Sequence, residues 1–422
     1  MIIDRQQLED FVARDLKRIA KRLYRRPLIK LARQWRGQLM RPSFIGITGS
    51  AGKTTTKDML HLALARRHRC VKSKDSNNQL YNVARTLLAV GPRTQFCIQE
   101  VGLSQPDDIR SMAELLRPQV GVVTNVGRDH LTSFRSSEAI AAEKGRLIEQ
   151  LPASGLAVLN ADDALVSAMA GRTEAAVVTF GLGTGADVRG EVLEARWPAR
   201  LAIQIRYGAE TVRIDTQLCG AHHAISVLAA FAAAVSLGVT VQDAAAAIGA
   251  YEPILGRATV HRTRRGITFI RDDLKAPEWS LGAVLQFMAE AQAKRKIAVI
   301  GTLSDYSGRS RGVYRRAVSA ALTATDYVLM VGDLAPHRAE RWRDLKPGRL
   351  HGFATVRAAA DWLGGFLQPD DLVLLKGSLN ADHLARIALS IDQPVGCWRH
   401  RCPRHIFCDH CRLLRHPAEP RQ

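Results

Sequence analysis

The chain has 422 residues, 46% hydrophobic and 24% charged, which excludes a disordered or fibrous protein and suits two or three folded domains. Its formal charge of +20 is uneven, because Met1 to Pro42 carries twelve Lys/Arg against four Asp/Glu and Gln393 to Gln422 carries six against two. Over half of the excess therefore sits on two short ends, which argues for basic appendages facing an anionic partner rather than for a basic active site.

Near the N-terminus, Leu8, Phe11, Val12, Leu16, Ile19, Ala20 and Leu23 fall at helical spacing, with Arg14, Lys17, Arg18, Lys21 and Arg22 on other faces. Pro27 is expected to end this helix, and a second apolar and basic segment containing Trp35 runs to Met40. Such a helix suits an anionic membrane surface, and equally suits docking on the protein's own body or on a partner protein. The opening residues lack the uncharged apolar run of a signal peptide.

Phe44 to Leu60, FIGITGSAGKTTTKDML, reads as a strand, a loop and a helix. Thr48 leads into the loop, where Gly49 and Gly52 let the backbone turn its N–H groups toward an anion, helped by the N-terminus of the helix that Lys53, Thr54 and Thr55 open. Lys53 can reach the β- and γ-phosphates of ATP, and the Thr54 hydroxyl can ligate Mg²⁺. From there the pattern alternates. QFCIQEVG, VGVVTNVG and GLAVLNADD are short apolar runs ending in polar residues or glycine, as buried parallel strands do when ligand groups lie at their carboxyl ends. A β-rich insertion is expected from Ala175 to Ile214. The uncharged stretch Thr216 to Gln242 is short and alanine-rich in its apolar part, which favours a buried helix over a membrane span. A second α/β unit begins near Gly256, with FIRDD, KIAVIGTLSD, YVLMVGD and DLVLLKGS as its strand-to-loop transitions.

Cys397, Cys402, Cys408 and Cys411 crowd the last 26 residues in the spacing C-x₄-C-x₅-C-x₂-C, with His400, His405 and His410 between them. The spacing favours a structural Zn²⁺ site over an iron–sulfur cluster or a metal-free basic tail. Lying after every phosphate-site motif, the tail is expected to be independent of the chemistry.

The loop TGSAGKTTT resembles that of the Mur ligase family, ATP-dependent amide-forming enzymes, and the resemblance spans roughly Phe44 to Ile391. It implies an α/β fold: a central P-loop domain with a parallel sheet over residues 43–254 and a smaller Rossmann-like C-terminal domain over 255–392. Residues 1–42 and 393–422 would be basic appendages. By resemblance, Glu100 in EVG and His130 in TNVGRDHLTSF help hold Mg²⁺ with Thr54, and Lys144 in AAEKG matches a lysine often carbamylated. Arg257 in LGR would approach the phosphates, Asp273 in RDDLKAP would meet the ribose, and Lys275 would lie near the γ-phosphate. Lys53, Glu100, His130 and Lys144 are thus the implied catalytic set. TNVGRDHLTSF and LLKGS resemble the D-alanyl-D-alanine-adding branch most, whereas DDLKA looks more like the D-glutamate-adding branch.

The chain departs from the pattern at GAHHAISVL, where His223 and Ser226 stand at positions of asparagines that meet adenine. About 40 residues precede the phosphate loop, where the cell-wall members carry a UDP-binding domain, so a non-UDP acid such as a polyglutamate is an alternative. The implied function is an ATP- and Mg²⁺-dependent carboxylate–amine ligase, cytoplasmic or peripheral at the inner membrane face, with small or peptide substrates and no nucleic acid. The alternative from another class is a nucleotide-dependent regulatory protein whose basic ends hold an anionic partner.

Overall fold

The computed structural model describes residues 24–129, 133–400, 402, 404 and 406–415. The expected helix between Leu8 and Leu23 lies outside them, as do His130 and His405. The described chain gathers into two compact units. The first draws on Met1–Val126, Ser137–Arg189 and Ser226–Ile248, the second on Gly127–Ser136, Gly190–Ile225 and Gly249–Gln422.

Residues 24–38 are helical (α1), so Pro27 lies within a helix instead of ending one. Its fixed φ of about −65° is already helical, so the ring can be accommodated where its missing N–H is not needed. The end of α1 docks on the protein's own body. Trp35 Nε1 donates to the Val90 carbonyl at 3.0 Å, and Arg36 Nε and Nη2 donate to the carbonyls of Leu116 and Arg117 at 2.8 and 2.9 Å. The Arg36 guanidinium also lies over the Phe44 ring, 3.7 Å from its centroid.

The first unit is built on strands β1 (Ser43–Thr48), β2 (Cys70–Lys72), β3 (Phe96–Glu100), β4 (Val120–Val123), β5 (Leu156–Asn160) and β6 (Ala176–Gly181). Their spatial order is β2-β3-β1-β4-β5-β6 and every pairing is parallel. Helices α2 (Lys53–Ala65), α3 (Leu80–Leu88), α4 (Asp108–Leu116), α5 (Ser137–Glu149) and α6 (Ala164–Ser167) make the crossovers. All of β4, and β1 beyond its first residue, is buried, as strands covered on both faces must be. The central position of β1 sets the phosphate loop between the ends of β3 and β4. Strand β7 (Val188–Glu194) starts in parallel with the end of β6. Strands β8 (Ala202–Tyr207) and β9 (Glu210–Asp215) form an antiparallel hairpin in the second unit.

The uncharged stretch forms α7 (Ala224–Ser236), and every side chain from Val227 to Val235 is buried. Thirteen residues rise only about 20 Å, too little for a hydrocarbon core, and no described helix is long and apolar enough to cross a membrane. Helix α8 (Val241–Gly249) follows.

The second unit adds β10 (Thr259–Arg262), β11 (Thr268–Asp272), β12 (Arg295–Ile300), β13 (Tyr327–Val331), β14 (Leu350–Phe353) and β15 (Asp371–Lys376), in the order β10-β11-β15-β12-β13-β14. Only the β10–β11 pair is antiparallel. Helices α9 (Leu281–Glu290), α10 (Ser310–Ala324), α11 (Ala335–Arg341), α12 (Val356–Phe366) and α13 (Ala385–Asp392) complete it. Apolar clusters lie on both faces of the sheet. In register, Asp272 pairs with Lys376 and Lys376 with Ile300, so the RDD, KGS and GTLS loops leave from neighbouring carboxyl ends, where open α/β sheets bind ligands.

Candidate nucleotide and metal site

The phosphate loop is held from beneath by the residues after β4. Asn125 Oδ1 accepts from the Ala51 N–H at 2.8 Å, and the Asn125 carbonyl accepts from the Ser50 N–H at 3.0 Å. Thr124 donates its hydroxyl to the Ala51 carbonyl at 2.6 Å, while Asn160 donates to the Thr124 carbonyl at 2.8 Å. Gly49 has a φ of 145°, and a Cβ there would stand 1.9 Å from Thr124 Oγ1. Gly52, with a φ of 79°, would place a Cβ 2.4 Å from Ser226 Oγ. These two glycines therefore serve backbone conformation and close approach together. Lys53 Nζ reaches back across the loop to the carbonyls of Gly49 and Ser50 at 2.5 and 3.2 Å. Thr48, Thr54 and Thr55 are buried.

The fold brings Thr54 and Glu100 together although 46 residues separate them. The Thr54 hydroxyl donates to Glu100 Oε2 at 2.7 Å, and Asn78 Nδ2 donates to Oε1 at 2.9 Å. The Glu100 carboxylate is 1% exposed, so these donors are what make its burial tolerable. The approach of Asn78 requires Gly102, where a Cβ would stand 2.5 Å from the Asn78 amide carbon. Behind them Lys57, fully buried, donates to the carbonyls of Ser73 and Asp75. Burial lowers its pKa, against the pull of Asp58 and Glu100. Lys144 is buried on α5, and its neighbour Glu143 accepts from the Ile109 N–H at 3.2 Å. His130 lies outside the described residues.

The second unit carries its own polar cluster. Lys376 Nζ donates to Asp272 Oδ2 at 2.6 Å and to Ser280 Oγ at 3.0 Å. Asp273 is buried and faces Arg271, with 3.5 Å between Oδ1 and Nε. Burial pushes the Asp273 carboxyl above its usual range, although Arg271 draws it down. Lys275 is exposed. Arg257 has a buried Nε with no hydrogen-bond partner among the described residues. Burial first, then the charges of His222 and Arg257, hold the His223 imidazole well below its ordinary value. Asp382 ties the neighbouring loops, accepting from the N–H groups of Thr302 and Ser378 at 2.7 and 3.0 Å.

Comparison with known proteins is decisive here. Residues 47–234 match the Mur ligase middle domain and residues 256–379 match the Mur ligase, glutamate ligase domain. The UDP-N-acetylmuramoyl-tripeptide–D-alanyl-D-alanine ligase of Mycobacterium tuberculosis is 32% identical over 386 residues, covering 86% of this chain and 75% of that protein. The chain belongs to the Mur ligase family. Two solved structures share its fold. MurF from Acinetobacter baumannii has a TM-score of 0.78 at 24% identity, covering 86% of this chain and 79% of that one. MurF ligase from Thermotoga maritima, solved with ADP, scores 0.73 at 22% identity, with 86% and 82% covered.

This Mur ligase is accordingly an ATP-dependent, amide-forming enzyme, so the alternative of a purely regulatory protein falls away. Asn78, Thr124 and Asn125 were not among the residues expected at the site. The pair Asn77-Asn78 and the motif TNVG were visible in the sequence, but nothing local says that one amide reaches Glu100 and another props the phosphate loop.

The described residues give the zinc expectation for the tail no support. Among the described residues no group of three or more His, Cys, Asp or Glu side chains is arranged to hold a metal ion. Protein contacts hold this segment. Cys408 and Leu414 are buried against Ala385 and Leu389, and the Cys408 thiol lies 3.4 Å from His383 Nδ1. Arg386 donates to the carbonyls of Cys397 and Arg399 at 3.2 and 3.0 Å, and the Gly396 N–H donates to the Leu414 carbonyl at 2.6 Å. Cys402 and Cys411 are half-buried free thiols. Nor is the tail separate from the motif residues, because Asp409 pairs with Arg271 beside Asp273.

Proposed function

We propose that this Mur ligase joins the carboxylate of a peptide-type acid to the amine of a dipeptide such as D-alanyl-D-alanine, at the cost of ATP. The contact between Thr54 and Glu100 under the phosphate loop carries the reading of the site, and the names of the 25–35% identical relatives support the substrate class. An acid oxygen would attack the γ-phosphorus, giving an acyl phosphate and releasing ADP. The amine nitrogen would then attack the acyl carbon, lose its proton and expel phosphate.

The roles in this reading are those the family resemblance implies. Lys53 and the first N–H groups of α2 would hold the phosphates, and Thr54 and Glu100 would hold Mg²⁺ together with His130. A hydroxyl and a buried carboxylate are hard oxygen donors that fit this cation, and Mg²⁺ when bound would neutralise phosphate charge. Lys144, Arg257, Asp273 and Lys275 belong to the same reading, with Asp273 at the ribose. So does the division into a central domain of residues 43–254 and a C-terminal domain of 255–392. Such a reaction would run in the cytoplasm, where ATP and peptide precursors meet.

Incubating the full chain with ATP, Mg²⁺ and a panel of acids, with and without a UDP-linked sugar, tests this by mass spectrometry. A new amide with D-alanyl-D-alanine and stoichiometric ADP is expected. Amide formation with glutamate alone would move the enzyme to the polyglutamate type.

A further inference from the structure

The Arg271 side chain is 1% exposed and projects from β11 one residue before its end. Its Nη1 and Nη2 donate to the two carboxylate oxygens of Asp409 at 2.6 and 3.0 Å. Its Nε stands 3.5 Å from Asp273 Oδ1. That Nε and that Oδ1 are both buried and have no hydrogen-bond partner among the described residues. The guanidinium thus spends its fork on the tail carboxylate, in the bidentate geometry that makes such pairs strong. Its link to Asp273, at 3.5 Å, is longer than the Asp409 bonds and is carried mainly by charge attraction.

We propose that Asp409 is a positioning residue for the nucleotide site, holding Arg271 so that it orients Asp273 without consuming the oxygen the ribose needs. The inference rests on the reading of Asp273 given above. Asp409 lies 30 residues beyond the end of the matched C-terminal domain at residue 379, in a segment whose place is set independently. Arg386 ties Cys397 and Arg399 to α13 and donates to the Asp382 carbonyl at 2.9 Å, and Asp382 itself binds the KGS and GTLS loops. Asp272 is already engaged with Lys376. Without Asp409, the buried fork of Arg271 would need another acceptor, and the carboxylate already beside it is Asp273. Capture there would spend Oδ1.

Titrating ATP into the full chain by calorimetry tests this, using wild type, Asp409→Asn, Arg271→Gln and the double variant. Asp409→Asn should weaken ATP binding about tenfold, the worth of one charge-assisted hydrogen bond. It should raise the KM for ATP while leaving kcat at saturating ATP nearly unchanged. In the Arg271→Gln background the same change should have no further effect, because the coupling runs through the guanidinium. If Arg271→Gln does not fold, Arg271→Lys keeps the charge without the fork and takes its place. Val356→Ala instead trims a buried side chain of α12 outside the tail, and should lower the melting temperature while sparing ATP affinity. An equal loss in both backgrounds, or ATP affinity that tracks melting temperature across all variants, overturns the proposal. Unchanged affinity in Asp409→Asn overturns it alone. Failure of the wild-type chain to bind ATP overturns the nucleotide-site reading and this inference with it.

Discussion

A carboxylate buried to 1% exposure at a strand end is costly unless its environment is built for it, and Glu100 receives Thr54 and Asn78 as donors. Replacing Lys53 by alanine should lower turnover about 10²–10³-fold, the usual loss for one main electrostatic stabiliser. Its melting temperature should barely move, because the ammonium rests only on loop carbonyls. Glu100→Ala should lose as much activity and also cost about 1–3 kcal/mol of stability, since the buried Thr54 hydroxyl and the half-buried Asn78 amide lose their acceptor. Normal turnover in Lys53→Ala would count against the phosphate role. Asp409 makes a second residue-scale test. Burial alone would raise its pKa, but the Arg271 hydrogen bonds and charge prevail and hold it below the usual carboxylate range. A folded pKa below the unfolded value of about 3.9 gives stability that is complete above that pH and is lost as pH falls through the folded value. Asp273, whose pKa is raised, has the opposite sign, its contribution being lost as pH rises through the folded value. The melting-temperature advantage of wild type over Asp409→Asn should therefore be full near neutrality and shrink below about pH 4. An advantage that stays flat into acid would contradict the pairing.

At the scale of elements, the phosphate loop was legible because its signals are local. Gly49, Gly52, Lys53 and Thr54 lie within six residues, and the apolar run before them can only be a strand. The same holds for β3, β4, β12, β13 and β15, whose continuous apolar runs announce burial on both faces. What was not legible depends on chain paths. Asn78 reaches Glu100 across 22 residues and Arg271 reaches Asp409 across 138. Which of Asp272 and Asp273 turns toward Lys376 depends on how β11 ends against β15, which no spacing reveals. Pro27 misled because proline breaks helices only where its N–H or ring conflicts with the preceding turn. Gly49→Ala should distort the loop, cost about 1–3 kcal/mol and abolish measurable ATP binding. Gly37→Ala, with open space around its Cβ, serves as control and should be neutral or stabilise by up to about 1 kcal/mol. Arg36 caps the end of α4 through the carbonyls of Leu116 and Arg117. Arg36→Met should cost about 1–3 kcal/mol in denaturant melts through those unpaired carbonyls, with ATP affinity unchanged. No loss of stability would mean that the end of α1 is dispensable to the first unit.

Across the whole molecule, the basic ends turn out to be partly structural. Arg36 near one end and Arg386, which binds the other, spend their charge on backbone carbonyls, and Asp409 in the tail answers a cation in the body of the second unit. Net charge alone could not separate such arginines from those that face solvent, because a guanidinium counts the same in either place. The cysteines teach a related lesson. Their spacing suits zinc, and the described tail is held by contacts of Arg386, Leu414, Cys408 and Asp409. This distinction is measurable. A structural zinc contributes its binding free energy to folding, so chelators unfold domains that depend on one. Treating the purified protein with EDTA should therefore leave the melting temperature in place while stopping ligation, and Mg²⁺ alone should restore turnover. Metal analysis before treatment should find no stoichiometric zinc. A melting temperature that drops on chelation and returns only with Zn²⁺ would show that the tail's cysteines meet around a metal after all.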